Sequence, residues 1–451
     1  MVNQYKYKII TFGCQMNKSD SERITTLVED LGYKQADALE SADLVIFNTC
    51  SVRQSAEDRV YGQIRNLKKI KKKNPRLVIA LTGCMAGRDI DGKIREKLPE
   101  VDLFFPTKDV VNLPKWLAEF HPEIVNSGNI NSDYLKINPQ YNSKFQAFVP
   151  ISNGCNNFCT YCVVPFGRGR EVYRPVKDIL DEVRKLDDKN YKEITLLGQV
   201  VNRYLPADEE NFSKNNPYQD NFARLLWEVN QFKNIQRIHF TAAYPRNMND
   251  EIIDALTLPK QVNLLHLPVQ SGDNGVLKKM NRQYTREDYL DIIKRLRKKK
   301  PNIALATDII VGFCGETEKA FQNTIDLYKE ADFDISYNAM YSPRSGTVAA
   351  NKFKDDVAQE EKKRRWKILH KLMEEIVLRK NQKYAGREVS VLVEKYKDGF
   401  CFGNSREMKL VKFSGDKNLV GKIANIKIVK ADKWILQGNL AKEKSPDKAS
   451  L

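Results

Sequence analysis

Apolar residues along this chain follow two rhythms: compact runs, and longer stretches in which they recur every third or fourth position. The runs 7–12, 44–47 and 77–81 predict strands, and the stretches 19–31 and 56–72 between them predict helices. Strand and helix in alternation predict a parallel α/β sheet over residues 1–122. Residues 123–144, rich in Asn, Ser and Gly, read as a linker. From 145 to 385 the alternation returns. The runs 147–151, 193–197, 237–241, 263–267, 304–311 and 335–340 predict six parallel strands, with helices such as 176–186, 286–298 and 318–330 between them. This is the pattern of a full or partial (β/α)6 barrel.

Within this second block, residues 204–221 read as a polar surface insertion. Trp366, Leu369, Met373 and Ile376 keep helical spacing in its last helix, and Gly386 is placed to cap that helix. Residues 386–442 change character. The runs 389–393, 400–403, 410–413, 423–429 and 434–437 are short strands between turn residues, which predicts a small β-barrel of the oligonucleotide-binding kind. Residues 443–451 read as a polar, disordered tail.

Charge adds a partner to this picture. The 451 residues carry a net +17 with a pI near 9.3, which points to a polyanion. Residues 381–451 hold 15 Lys and Arg against 8 Asp and Glu, so the small barrel is itself basic. The basic runs 68–73, 294–300 and 362–365 are candidates for holding phosphates, or else solvated helix faces. No apolar stretch reaches the ~18 residues that a membrane span needs, and no signal peptide is evident at the start. The expectation is a cytoplasmic protein, away from membranes, with reduced cysteines.

Those eight cysteines carry the chemistry. Cys155, Cys159 and Cys162 form a Cys-x3-Cys-x2-Cys loop just after the first barrel strand, and barrel active sites are built at strand C-termini. Three thiolates suit a soft metal. A structural zinc site needs a fourth ligand, and no further cysteine stands within 70 residues on either side. On a four-iron cluster, three thiolates leave one iron open to a substrate. Cys14, Cys50 and Cys84 each follow a predicted strand of the N-terminal sheet, and parallel strands end on one edge. A second three-thiolate cluster is one reading; three small core residues is the other. Cys314 and Cys401 have no partner at ligand spacing and read as core thiols.

The Cys-x3-Cys-x2-Cys loop, with Tyr161 before its last cysteine, resembles that of the radical S-adenosylmethionine superfamily. The segments GCQMNKSDSE (13–22), NTCSVR (48–53), GCNNFCTYCVVP (154–165), HLPVQSGD (266–273), TDIIVGF (307–313) and YSPRSGTVAA (341–350) resemble the methylthiotransferase family, and most closely its branch acting on isopentenyladenosine in tRNA. The C-terminal part resembles that family's TRAM domain. Three positions depart from the family pattern. Cys314 stands where proline is usual, Ala243-Tyr244-Pro245 where a Ser-His-Pro-like sequence is usual, and Gly167 where threonine is common.

The resemblance implies that Cys155, Cys159 and Cys162 hold a 4Fe–4S cluster whose open iron binds S-adenosylmethionine. It implies that Cys14, Cys50 and Cys84 hold an auxiliary 4Fe–4S cluster that carries or supplies sulfur. Gly198, Gln199, Gln270, Ser271 and Gly272, at the ends of barrel strands, are expected S-adenosylmethionine contacts or ordinary turn residues. The implied reaction places a methylthio group on carbon 2 of N6-isopentenyladenosine in the tRNA anticodon stem-loop, by a monomer supplied with electrons by a flavodoxin- or ferredoxin-like donor and with sulfur from an external source. The alternatives are threonylcarbamoyladenosine in tRNA, an aspartate of a ribosomal protein, and an iron–sulfur RNA-binding protein without catalysis.

Overall fold

The computed structural model describes residues 4–51, 54–123 and 133–441. The expected tail at 443–451 and the middle of the expected linker lie outside them. Five strands form the N-terminal sheet: β1 (Lys6–Phe12), β2 (Lys34–Gln35), β3 (Leu44–Thr49), β4 (Val78–Gly83) and β5 (Leu103–Phe104). They are parallel in the order β2-β1-β3-β4-β5. In this doubly wound order a ligand site falls outside the strand C-termini where the winding reverses, here beside β1 and β3. β3 and β4 are buried along their whole length, as central parallel strands covered on both faces must be. Helices Gln15–Asp30 and Gln54–Lys73 supply two of the covers.

The second block begins with β6 (Gln146–Pro150), and a small ribbon of β7 (Ser152–Asn153) and β8 (Val172–Tyr173) follows. Then come β9 (Glu193–Leu197), β10 (Arg237–Phe240), β11 (Leu264–His266), β12 (Ala304–Val311) and β13 (Ile335–Met340). Two parallel sheets, β10-β9-β6 and β11-β12-β13, meet through the pairing of Ile238 with Gln261, giving a partial (β/α)6 barrel. Alternate residues such as Val149, Ile194, Leu196, Leu265 and Leu305 pack outward under the helices as one continuous core. Thr195, His239, His266, Asp308 and Tyr337 sit on the opposite, inner faces of their strands.

The chain ends in a closed barrel, β14 (Glu388–Lys397), β15 (Phe400–Ser405), β16 (Leu410–Ser414), β17 (Ile423–Ala431) and β18 (Leu436–Leu440). It docks on the bottom of the large barrel. Arg237, at the start of β10, is 2% exposed and donates to the carbonyls of Asn404 and Ser405 at 2.6 and 2.8 Å while pairing with Glu193 at 2.8 Å.

Four expectations differ locally. The insertion 204–221 is anchored rather than loose: Tyr204, Phe212 and Tyr218 are buried in the barrel core. The chain from residue 133 is likewise packed, with Tyr134, Leu135 and Ile137 completing the N-terminal core. The helix Gln359–Gln382 is capped at Lys383, and Gly386 takes its positive φ three residues later, where the chain turns into β14. The last strand starts at Leu436, because Trp434 is half exposed on the turn before it.

Candidate functional site

In the N-terminal sheet, Phe12 on β1 lies beside Thr49 on β3, which lies beside Gly83 on β4. Cys50 and Cys84 follow the last two directly, and Cys14 follows Phe12 by two residues, so all three thiols share one sheet edge. The turns admit only glycine. At Gly13 (φ +151) a Cβ would stand 2.8 Å from the Cβ of Cys50; at Gly83 (φ +99) it would strike the carbonyl of Thr49 at 2.3 Å. Beneath the edge, Asn17 and Asn48 bind each other through side-chain and main-chain groups at 2.9 and 2.7 Å, and the Cys14 thiol reaches Asn17 at 3.4 Å. Cys50 and Cys84 are buried; Cys14 is exposed. Burial pushes the Cys84 thiol up, with the nearby Arg168 pulling it down.

The barrel loop is held from outside itself. Thr160 donates through its N–H to Met280 and through its hydroxyl to Lys279, at 3.1 and 2.8 Å. Asn281 donates to the carbonyls of Asn157 and Phe158. Arg282, sandwiched against the rings of Tyr244 and Tyr284, reaches the Cys159 sulfur at 3.5 Å. Gly154 has no room for a Cβ, which would stand 2.1 Å from the Arg170 carbonyl. Burial raises the Cys155 thiol to about 11 and raises Cys162 further, with Cys159 adding to the effect on Cys162. Thiols held protonated by burial release those protons when a metal binds.

Among the described residues no three His, Cys, Asp or Glu side chains are gathered closely enough to hold one metal ion. A cubane cluster takes each thiolate at a different iron, so it needs a wider opening than a single ion. The donor sets fit such a group: three thiols each, on tight turns that only glycine can make, with guanidinium groups beside Cys84 and Cys159.

The two loops touch. Cys84 opens the short helix Cys84–Gly87, which packs against Val164–Arg168, the helix that follows Cys162. A Cβ on Gly87 would stand 2.1 Å from the carbonyl of Gly167. Arg168 then reaches across to Asp20 at 2.6 Å, an ion pair 1% and 0% exposed. A second buried bridge links Arg88 to Glu57 at 2.9 Å and to Ser345 of the barrel at 2.7 Å.

Residues 149–328 match the Radical SAM superfamily, 6–106 the uncharacterized protein family UPF0004, and 382–441 the TRAM domain. A tRNA-2-methylthio-N(6)-dimethylallyladenosine synthase of Clostridium botulinum is 42% identical over 449 residues, covering 96% of each chain. One from Thermoanaerobacter is 43% identical over 447 residues, covering 96% of this chain and 92% of its own. The chain belongs to the tRNA-2-methylthio-N(6)-dimethylallyladenosine synthase family. A third synthase of the family, from Clostridium novyi, is 43% identical over 444 residues. Among solved structures, the radical S-adenosylmethionine methyltransferase TsrM of Kitasatospora setae shares the fold at a TM-score of 0.53, with 12% identity and 77% of each chain covered.

Other expected contacts fare differently. Gly198 is buried, and a Cβ there would stand 2.5 Å from the Ser152 hydroxyl, which has no hydrogen-bond partner; Gln199 beside it is part exposed at the barrel mouth. Gln270 has a positive φ of 72° and bridges β12 in parallel beside Ile309, its N–H donating to Asp308 and its carbonyl accepting from Ile310. Ser271 and Gly272 face an outer helix instead: the hydroxyl of Ser271 meets Thr324 at 3.4 Å, and the N–H of Gly272 donates to Thr324 at 3.0 Å. These bonds fix the turn. Cys314 and Cys401 are core thiols, as their isolation in sequence suggested.

The basic runs are also less available than their sequence implies. Lys362 is buried and bound to Asp355 at 2.6 Å, Arg365 to Glu316 at 2.8 Å, and Lys71 to Asp102. Arg168, Arg203 and Arg282 were missed by the sequence reading. Their signal was position: the first lies six residues after Cys162, the second six residues after the end of β9, and the third just past the helix Asn274–Lys279 that follows β11.

Proposed function

We propose that this chain adds a methylthio group to carbon 2 of N6-isopentenyladenosine beside the anticodon of tRNA. The observation that carries the reading is the contact, through Gly87 and Gly167, of the helix that Cys84 opens with the helix that follows Cys162. Membership of the synthase family supports this nucleoside over threonylcarbamoyladenosine or a ribosomal protein. Cys155, Cys159 and Cys162 would hold one 4Fe–4S cluster and Cys14, Cys50 and Cys84 the other. Gly198, Gln199 and Gln270 would line the S-adenosylmethionine site. When bound, these groups supply the radical chemistry that an aromatic C–H bond demands and the sulfur that replaces its hydrogen.

The chain's own work is binding and placement. Buried thiols give up protons to become ligands. Arg282 would bring positive charge to the anionic cluster at Cys159, and Arg168 to the other at Cys84. The glycine turns keep the loops close. The TRAM barrel shows Tyr396 and Trp434 at its surface near Lys395, Lys397 and Lys430, a composition suited to unpaired RNA. Electrons would come from a flavodoxin- or ferredoxin-like donor and sulfur from outside, to a monomer working in the cytoplasm. No helix among the described residues is long and apolar enough to cross a membrane.

The test is mass analysis of nucleosides from isopentenyladenosine-containing tRNA after incubation with reduced enzyme and S-adenosylmethionine. The methylthio derivative of that nucleoside is expected. Unchanged tRNA, with a ribosomal protein modified instead, would reverse the reading.

A further inference from the structure

Beside the barrel mouth lies a polar cleft of about 430 Å³, within the size range of small-molecule sites. It opens between the residues that follow β9 and those that follow β10, on the C-terminal side of the barrel. The insertion 204–221 forms its outer wall, and that wall is built rather than incidental. Tyr204 donates to the Arg174 carbonyl at 2.7 Å and Tyr218 to Asp254 at 2.9 Å, while Glu228 accepts from Ser213 and Asn216. Asp220 and Asn249 spend their side chains capping the helices Asn221–Gln231 and Asp250–Ala255 and holding each other at 2.7 Å.

The lining side chains not spent on capping a helix are Arg203, Leu205, Gln219, Arg246 and Asn247, of which Arg246 also donates to Gln283. Leu205 is 56% exposed, and Gln219 and Arg246 are exposed as well. The main-chain N–H groups of Gln219 and Asn247 are bound to Glu251 and Tyr244, while their side-chain carboxamides take no part in the hydrogen bonds that hold the walls. Flat guanidinium groups, an aliphatic platform and free amide edges suit a planar, polar, hydrogen-bonding ring. Unstacked RNA bases are recognised with this chemistry, by stacking and by contacts to their edges. The cleft is also tied to the cluster loop: Arg203 donates to Asn157 at 2.7 Å, between Cys155 and Cys159, and pairs with Glu171. Phe158, the next residue, is 48% exposed at the mouth.

We propose that this cleft holds an unstacked nucleotide adjacent to the target adenosine in the RNA loop. The inference rests on the RNA-modifying reading above and names a second contact of the same substrate. A flipped target must leave its neighbours, and a seat for one neighbour lowers the cost of unstacking both. It also sets which loop sequences are accepted.

The test is a binding cycle on reconstituted, full-length enzyme with anticodon stem-loops, read by fluorescence anisotropy. One stem-loop is intact, and others lack a single base next to the target. For the unaltered enzyme, one of these abasic loops should bind roughly 5- to 150-fold more weakly, the range for loss of one stacked base. With Arg246→Ala/Asn247→Ala, and separately with Gln219→Ala, the same abasic change should cost less than about twofold. Equal losses in all proteins at every neighbouring position would overturn the proposal. Saturation of the cleft by free nucleoside monophosphate, with no sensitivity to the abasic changes, would assign it to a small molecule and overturn it too. Binding is read without turnover, so an enzyme that binds the loop in this way but makes no methylthio product would contradict the proposed reaction and leave the cleft assignment standing.

Discussion

Gly167 of the barrel domain lies directly against Cys84 of the N-terminal domain: a Cβ on Gly167 would stand 3.0 Å from the Cys84 carbonyl oxygen and 3.1 Å from its Cα. One of the three departures from the family pattern thus stands where the two cluster loops meet. Threonine there is accommodated only if Cys84 yields by a few tenths of an ångström. The close approach depends still more on Gly87, where a Cβ would stand only 2.1 Å from the Gly167 carbonyl.

Replacing Gly87 with Ala should therefore separate the domains. A Cβ 2.1 Å from a carbonyl oxygen has no relief through a flexible side chain, and overpacking of this kind costs about 1–3 kcal/mol. Urea unfolding checks this against Gly62→Ala, at an open position in the helix Gln54–Lys73, which should gain up to about 1 kcal/mol.

The Arg168–Asp20 pair is buried at 2.6 Å, with Tyr134 donating to the same carboxylate. Asp20→Ala strands a guanidinium inside the protein and should cost about 3–5 kcal/mol. The double variant Asp20→Leu/Arg168→Met should lose much less than the two single losses added together. A chemical-denaturation cycle reads the difference, and additive losses would show that the charges act separately.

His239 sets a pH dependence. Burial, with His266 and Arg237 nearby, pushes this imidazole down to about 3 from the usual 6.5. The unfolded chain thus binds a proton between these values that the folded chain refuses. Stability from this residue is whole above pH 6.5 and lost as pH falls toward 3. Between pH 7 and pH 5 the loss should reach about 2 kcal/mol. His239→Asn should remove that part of the acid sensitivity in denaturation midpoints measured at both values.

RNA affinity should fall steeply with salt, because the small barrel is basic. Lys395→Gln and Lys430→Gln should each lower the slope of log affinity against log salt by about one. Lys362→Gln should leave the slope unchanged and lower stability instead, since its ammonium group is bound to Asp355.

Much of this was legible in the chain. The strands Glu193–Leu197, Ala304–Val311 and Ile335–Met340 have the bounds their apolar runs imply, because parallel strands buried on the core face must be continuous in hydrophobicity. The shared edge of Cys14, Cys50 and Cys84 followed from strand sense alone. Tertiary partners were not legible. Lys362 and Arg365 look like solvated charge until Asp355 and Glu316 arrive from elsewhere in sequence. The insertion 204–221 looks polar because its three buried tyrosine and phenylalanine rings are widely spaced. The bonds of Ser271 and Gly272 to Thr324, on an outer helix far along the chain, were not legible either.

The account stands on two thiol triads serving one reaction, and a Cys84→Ala enzyme tests it most directly. The measurement is methylthio nucleoside formed per 5′-deoxyadenosine released, in a single turnover with isopentenyladenosine-containing tRNA. Iron should fall from about eight to about four per chain, and the ratio should fall to background while 5′-deoxyadenosine is still released. An undiminished ratio in that variant would contradict the account.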